Sequence, residues 1–475
     1  MGERPRDKTT TSQFIQRPVT RRGMLRGAAA AGGGALLSSL PLVSRSGFAR
    51  RPHAAQEATA FTREASIVSW GFGVEETNPL AFARINAFKE AYPSISLEVI
   101  PEYDDQKLLT AAASGELPDL LWVDRFKVAS YAARGVLSPL DDLVAESEFD
   151  LERFYEAAVD EATYEDQLFA IPQFMDVRPL FVNLDALGET GVTQDQLNTG
   201  DWDQLVEIGT QLTKRTGDRV DRWGFDPKLY DFFWMWGAGN GGTFISDDAQ
   251  EVSFNDPKLV EALDWGVKAY DAQGGFPSFD AFRTTFQGNE EFARGQVAMI
   301  CYENWMLGIV ARVAPALNFA LLPVKERNGD GLVSFTGGFS WAIPTDAKDP
   351  EAAWEFIKFM NADETWLIGA NAVKEARVAA GQVYIPALTA NRTADQLQID
   401  QVYEPISPQF DAAVNLFPQL IEASPNRPVS KSPVGGQLQD VLTQDGVLPA
   451  LRGELSAEDA LNQANDAAQD AIDSF

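Results

Sequence analysis

Histidine and cysteine are almost absent from this chain. Cys301 is its only cysteine and His53 its only histidine, which excludes an internal disulfide and a Cys-rich metal or cluster site. Because His53 falls in a leader-like N-terminal region, no other histidine is left for a Ser-His-Asp triad, a Cys-His pair or a His-ligated zinc or iron centre. We therefore expect no metal and no cofactor.

Basic residues are scarce as well. The 475 residues include 39 Lys and Arg against 69 Asp and Glu, a formal net charge of -30. So acidic a surface repels phosphate backbones and anionic lipid headgroups, which disfavours binding to nucleic acids and to membrane surfaces. The length favours two or three domains over a single core.

The first 60 residues run against this acidic balance. Arg21 and Arg22 precede a short apolar stretch, AAAAGGGALLSSLPLV, and small residues follow it, which is the plan of a secretory signal. The arginine pair resembles a twin-arginine signal, with possible cleavage after Ala49 or Ala60. The apolar stretch is too short for a stable membrane span, and no lipid-attachment cysteine is near. We predict an exported protein, soluble in the periplasm or at the extracellular face; a disordered basic tail is the alternative.

Past the leader, short apolar runs alternate with helical patterns. Because the runs are continuous rather than alternating, they favour parallel sheets covered on both faces by helices. Helices are expected from Asn78 to Tyr92, after Asp256 and Asp349, which each precede a proline, and from Ser456 onwards. The sequence thus predicts a doubly wound α/β fold in two lobes with a helical C-terminal segment. The predicted strands are at 66–70, 96–100, 119–123, 168–171 and 180–183.

Two local motifs point to other chemistries. The stretch GAGNGG (237–242) fits a dinucleotide-binding pattern, but it follows an aromatic run and precedes a hairpin pattern. We interpret it as the glycine-rich exit of a helix. The adjacent acids at 141–142 and 247–248 keep a glycosidase open as an alternative, because acid/base hydrolysis of a glycoside needs no histidine.

Three apolar runs end in side chains suited to sugar recognition. In DLLWVDRF (119–126), Trp122 offers a ring that stacks on a sugar, Asp124 accepts hydrogen bonds and Arg125 donates them. Ligands of open parallel sheets bind beyond the carboxyl ends of strands, where this cluster is expected. The alternative is that Trp122 belongs to the core and the two charges pair with each other. The run VAMICYENW (297–305) ends in the same way, with Tyr302, Glu303, Asn304 and Trp305. The stretch AIPQFMDVRPLFVN (170–183) sets Gln173, Asp176 and Arg178 between two apolar runs.

These motifs resemble, in order, the extracellular solute-binding proteins of ABC importers, the group that includes the maltose-binding proteins. The likeness extends through DWDQLVEIGTQLT, FARGQVAMICYENW, GGFSWAIPTDAKDPEAAWEFIKFM and SAEDALNQA. It implies a type II periplasmic-binding-protein-like fold, with a leader at 1–60, lobe 1 at 61–172 plus 338–395, and lobe 2 at 173–337 plus 396–475. It also implies a monomer that captures a small-molecule solute, a carbohydrate, between its lobes and delivers it to the membrane permease of an ABC transporter.

The resemblance also implies site residues. Trp122, Asp124 and Arg125 match a first-lobe sugar-contacting set, although one residue fewer separates the tryptophan from the aspartate than in the maltose binder. No counterpart of that protein's C-terminal stacking tryptophan is found around SKSPVGG. The remaining candidate ligand contacts are Asp176, Trp305, Asn304, Trp234, Trp70, Gln173 and Trp341.

Two hinges are expected, at 171–174 and 335–340, with Gly337 and Gly338 giving the second freedom to rotate. The nature of the solute stays open at this point. A phosphorylated polyol such as glycerol-3-phosphate would shift the weight of recognition to Arg125, Arg178 and Asn304.

Overall fold

The structure, a computed structural model, describes residues 61–75, 78–424 and 428–475. The predicted signal and its cleavage points lie outside these residues. The strands are β1 (Ala65–Trp70), β2 (Ile95–Ile100), β3 (Leu120–Asp124), β4 (Thr163–Tyr164), β5 (Gln167–Leu168), β6 (Ala170–Pro172), β7 (Leu180–Asn183), β8 (Lys214–Thr216), β9 (Arg219–Asp226), β10 (Val297–Cys301), β11 (Phe319–Leu322), β12 (Val324–Lys325), β13 (Leu332–Val333) and β14 (Phe339–Ala342).

Helices cover both sheets. They are α1 (Pro79–Ala91), α2 (Asp105–Ser114), α3 (Val128–Ala133), α4 (Asp141–Glu146), α5 (Glu156–Glu161), α6 (Leu184–Gly188), α7 (Trp202–Leu212), α8 (Leu229–Gly239), α9 (Pro257–Asp271), α10 (Phe276–Arg283), α11 (Met306–Val313), α12 (Pro350–Asn361), α13 (Asp363–Ala379), α14 (Arg392–Gln401), α15 (Pro408–Ala423), α16 (Gly435–Val441), α17 (Leu448–Leu451) and α18 (Ala457–Asp473). A π-helical turn at Leu442–Val447 joins α16 to α17. Among the described residues, none of these helices combines the length and the apolar character that a bilayer crossing requires.

Two five-stranded sheets form the framework. The first has the order β2-β1-β3-β14-β6 and the second the order β11-β7-β10-β9-β8. β1 pairs in parallel with β2 and β3, and β9 with β10, as the continuous apolar runs predict. β14 and β7 run antiparallel to their neighbours, so the sheets are mixed rather than mostly parallel.

The antiparallel strands follow from how the chain passes between the sheets. It leaves the first sheet at the end of β6, enters the second along β7 and returns along β14. A strand that re-enters through the edge at which its neighbours end must run opposite to them. We call the two connections, residues 173–179 and 334–338, the crossing segments. The carboxyl ends of β1, β3, β9 and β10 therefore lie on the sides of the sheets that meet these segments.

The predicted helix starts are confirmed. The Asn78 side chain accepts a hydrogen bond from Ala81 N, and Asp349 from Ala352 N. Each side chain satisfies a backbone N–H that has no partner within its helix, and the following proline fits the first turn. Helix α8 ends at Gly239, so GAGNGG is a helix exit and the dinucleotide pattern has no structural basis.

The tryptophans predicted to lie on helical stripes belong to the core. Trp354 is 3% exposed and Trp366 is 1% exposed. The C-terminal helices pack mainly on the second sheet's side, with α15 against β11 and α18 against α9, while α16 reaches the turn that follows β3. The last part of the chain therefore contacts elements on both sides of the crossing segments.

Candidate functional site

An aromatic group lies at the carboxyl end of β3. The Trp122 ring stacks on that of Phe339, with centroids 3.8 Å apart and 11° between the planes. Phe339 in turn stacks on Phe174 at 6.1 Å, and Phe72 meets Trp122 edge-on at 5.5 Å. Trp122, Phe174 and Phe339 are partly exposed, so they form an apolar surface beside the first crossing segment.

Polar groups border this surface. The Nε1 of Trp122 donates a hydrogen bond to Gln173 Oε1 at 3.1 Å, which fixes the orientation of both side chains. Asp124, also partly exposed, pairs with Phe339 across the β3 and β14 ladder. Its Oδ1 accepts a hydrogen bond from Phe126 N at 3.0 Å. The structure thus brings together Trp122, Asp124 and Gln173, three of the predicted site residues.

Arg125, the neighbour of Asp124, is buried instead of facing this surface. Its side chain has no exposed area. The guanidinium donates to Glu161 Oε2 at 3.0 Å, to the Phe174 carbonyl at 2.6 Å and to the Gly337 carbonyl at 2.7 Å. The prediction that Arg125 contacts the ligand is therefore corrected: it holds both crossing segments to the first sheet.

The glycines of the second crossing segment have a role different from the one expected. Gly338 has a φ of 136°, and a Cβ at this position would collide with the Phe174 carbonyl oxygen and with Arg125. A Cβ on Gly337 would crowd Asp176 and Arg178. Close approach of the two segments, rather than rotational freedom, explains this glycine pair.

Asp176 and Asn304 secure the other end of the crossing segments. Arg178 Nη1 donates to Asp176 Oδ1 at 2.5 Å and to the Phe335 carbonyl at 2.9 Å. Asn304 Oδ1 accepts from Val177 N at 3.1 Å, and Asn304 N donates to the Val177 carbonyl at 2.9 Å. Asp176 is 8% exposed and Asn304 is 6% exposed. In this structure both side chains are buried and join the second sheet to the crossing segments.

A charged group lies at the carboxyl ends of β9 and β10. Lys228 has a positive φ of 47°, and its Nζ is 3.8 Å from the centroid of the Tyr302 ring. This ammonium is 3.4 Å from Asp231 Oδ2 and 3.7 Å from Glu303 Oε2. Trp305 meets Tyr302 edge-on at 5.1 Å and is partly exposed, so its role as a ligand contact stays a prediction.

Burial and charge set the protonation of this group. Burial acts to lower the pKa of Lys228, yet the carboxylates of Glu303 and Asp231 outweigh it and hold that pKa above its ordinary value. Glu291 lies nearby and is 5% exposed; burial raises its pKa to about 7. The lysine is thus a permanent cation between two acids. Within the described residues, no group of three or more His, Cys, Asp or Glu side chains is arranged to hold a metal ion.

Three tryptophans of the predicted site lie elsewhere. Trp341 has no exposed area, because Phe72 and Phe356 cover its ring. Trp234 is 4% exposed and packs against the ring of Phe244 at 4.6 Å. Both are core residues in this structure, which corrects their prediction as ligand contacts.

Trp70 ends β1 but lies apart from Trp122. Its ladder partner on β3 is Leu121, so it falls on the face of the sheet opposite to Trp122. There it lines an open cavity of about 490 Å³ along α2, with Lys107 Nζ 4.3 Å from its ring centroid. Trp70 therefore does not join the aromatic group around Trp122.

The sequence interpretation missed Phe174, Phe339 and Lys228. Phe174 and Phe339 stand inside the quoted motifs, next to Gln173 and Gly338, and an aromatic ring beside an expected hinge is a usable signal. Lys228 follows the apolar end of β9, the same pattern that singled out Trp122 on β3. Its positive φ could not be read from the sequence, because lysine rarely adopts that conformation.

Comparison of the chain with known protein families identifies the family to which it belongs. The family model described as bacterial extracellular solute-binding protein matches residues 75–365, more than half of the chain. The chain belongs to the bacterial extracellular solute-binding proteins. This confirms the predicted family, whose members bind solutes, and rules against the glycosidase alternative.

Individual solute-binding proteins are similar to this one at modest identity. The lactose-binding protein of Rhizobium radiobacter is 23% identical over 261 residues, covering 53% of this chain and 59% of that protein. The chain thus spans less than two thirds of that relative. The mannitol-binding protein of Pseudomonas aeruginosa is 25% identical over 408 residues, which cover 79% of this chain and 86% of that protein.

Solved structures share the fold. An ABC substrate-binding protein from Listeria monocytogenes, in complex with cycloalternan, has a TM-score of 0.70 at 19% identity and covers 86% of this chain and 99% of its own. The GacH receptor of Streptomyces glaucescens has a TM-score of 0.67 at 20% identity, with 87% and 99% covered. The predicted periplasmic-binding-protein fold is thereby confirmed.

Proposed function

We propose that this solute-binding protein captures a carbohydrate between its two sheets and delivers it to the membrane permease of an ABC importer. The observation that carries the proposal is the exposed stack of Trp122, Phe339 and Phe174 bordered by Asp124 and Gln173. Apolar rings beside hydrogen-bonding groups suit a sugar, which has C–H faces and a rim of hydroxyls. The names of the lactose- and mannitol-binding relatives support the same solute class.

The strength of such a site is sufficient for transport. An aromatic contact contributes about 0.5–1.5 kcal/mol, and a hydrogen bond to a charged group about 1.5–3 kcal/mol. Trp122 and Trp305 together with a few polar groups therefore support roughly micromolar affinity after the cost of ordering the solute. Capture requires only binding, and the solute is released unchanged.

In this proposal the lobes are residues 61–172 plus 338–395 and residues 173–337 plus 396–475. Closure then bends the crossing segments between their two anchored ends, the Arg125 contacts and the Asn304 contacts. The stretch left between these anchors is short, around Met175 and Thr336. The protein acts as an exported monomer whose closed form docks on the permease.

A binding screen tests the function. Purified protein is exposed to lactose, mannobiose, arabino-oligosaccharides and mannitol, and the melting temperature is measured, because a solute that binds only the folded state raises it. The positive solutes are then titrated by calorimetry and recovered for analysis. We expect saturable binding of at least one carbohydrate, recovered intact, with affinity at least tenfold weaker in Trp122→Ala. Lack of binding to every carbohydrate would refute the proposed function.

A further inference from the structure

The balance of charge at the two sheet edges bears on which solutes fit. On the second sheet's side, Lys228 is 3% exposed and lies between two carboxylates, Asp231 and Glu303. Asp231 has 35% of its side chain exposed and Glu303 has 12%. The cation is thus buried, while the acids that pair with it retain the exposed surface.

The cations near the first sheet's edge are engaged in the same way. Arg125 is occupied by Glu161 and two carbonyl oxygens. Arg178 bonds Asp176, and its Nε, which has no hydrogen-bond partner, is shielded from solvent. Lys127 pairs with Asp105 at 2.7 Å. Lys107 lies over the Trp70 ring, on the opposite face of the sheet from Trp122.

Carboxylates are therefore in excess where the solute is expected. Asp124, Asp231 and Glu303 all keep some exposed surface at the carboxyl ends of β3, β9 and β10. The Oε2 atom of Glu303 has no hydrogen-bond partner although it is shielded from solvent. Its electrostatic partner is the Lys228 ammonium, 3.7 Å away, and the exposed parts of these carboxylates can accept hydrogen bonds from a hydroxyl or an ammonium group of a solute.

We propose that Glu303 and Asp231 are specificity-determining residues that make the site select uncharged or amino-bearing carbohydrates and reject phosphorylated ones. This inference rests on the proposed carbohydrate-binding function and defines its solute class. A phosphate brought to these acids meets like charge, and repulsion between charges close to a protein surface is stronger than in bulk water. An ammonium group on a solute is instead attracted by the two carboxylates.

Matched solutes test the selectivity directly. The probes are mannitol with mannitol 1-phosphate, lactose with lactose 1-phosphate, and diacetylchitobiose with its deacetylated diamine, titrated by calorimetry at two salt concentrations. We expect each phosphate to bind at least about tenfold more weakly than its neutral parent at low salt. In Glu303→Gln this gap shrinks by roughly threefold or more, and adding salt narrows it in the unsubstituted protein.

A matched control and the opposite outcomes complete the design. Glu146→Gln removes an acid from the exposed surface of α4 and is expected to leave every ratio unchanged. If Glu303→Gln unfolds, Asp231→Asn provides the same comparison on a more exposed residue. A phosphate that binds as tightly as its parent, or a gap unaffected by either substitution, overturns the selectivity while carbohydrate binding stands. If no probe binds, the proposed function fails, and this inference fails with it.

Discussion

Arg125→Met tests whether Arg125 holds the two crossing segments to the first sheet, a role that we call the clamp, or contacts the ligand. In the structure the guanidinium and the Glu161 carboxylate form an ion pair without exposed surface, 3.0 Å between Nε and Oε2. Methionine keeps the length of the side chain but makes none of the three hydrogen bonds. Glu161 would then remain as a buried acid without its partner, and its Oε1 already has no hydrogen bond.

The expected loss of stability is large. Removing one member of a buried ion pair costs about 3–5 kcal/mol, because the other charge is left uncompensated. Two carbonyl oxygens, those of Phe174 and Gly337, also lose a donor. We expect the free energy of unfolding to fall by about 4 kcal/mol, measured by urea denaturation, where the transition midpoint moves to lower urea while the slope stays constant.

A second substitution distinguishes the pair from the packing around it. Replacing both members, Arg125→Met with Glu161→Leu, removes the uncompensated charge, and we expect it to recover about half of the loss. Arg452→Met, on an exposed arginine, serves as the control and should change stability by less than about 0.5 kcal/mol.

A small loss of stability together with a complete loss of binding would refute the clamp role of Arg125. If Arg125→Met lowered stability by less than about 1 kcal/mol and abolished carbohydrate binding, Arg125 would be the ligand contact that the family resemblance implies. The buried pair would then not hold the crossing segments. If Arg125 acts as the clamp, the Arg125→Met protein that remains folded still binds carbohydrate.

Further predictions concern the core and the site. Burial raises the pKa of Asp395 to about 7 from 3.8. The folded state therefore holds this proton more tightly than the unfolded state, so the stabilisation is full below about pH 4 and is lost as pH rises through about 7. Between these two pH values the melting temperature should change less with pH in Asp395→Asn than in the unsubstituted protein. Gly338→Ala should destabilise by more than about 1 kcal/mol in urea denaturation, since its φ is positive and the Phe174 carbonyl blocks a Cβ. Phe339→Ala should weaken carbohydrate affinity in calorimetry with unchanged stoichiometry, whereas Trp341→Phe, in the core, should not.

Much of the fold could be predicted from local signals. The helix at 79–91 begins where Asn78 caps it, and β7 matches the run LFVN residue for residue. Such elements depend on contacts within a few residues, which the sequence states directly. The mixed direction of the sheets could not be predicted from the apolar runs, because β14 and β7 owe their orientation to the path of the chain between the two sheets.

The candidate site was only partly accessible to the same reasoning. Residue type singled out Trp122, Asp124 and Gln173, which the structure brings together. It gave equal weight to Trp341, whose ring is covered by Phe356, a residue of α12. Residue type states which interactions a side chain can make, while exposure depends on elements that are distant in the sequence.

Asp124 and Arg125 show the difference between what the sequence determines and what only the folded structure determines. The sequence by itself determined that a buried strand ends here in two opposite charges, because an apolar run and its flanking polar residues are local. Only the tertiary structure decided that the acid stays at the surface and the arginine does not. Its partners, Glu161 and the carbonyls of Phe174 and Gly337, come from 36, 49 and 212 residues away. A buried guanidinium is stable only where such acceptors converge, and their convergence is a property of the folded chain.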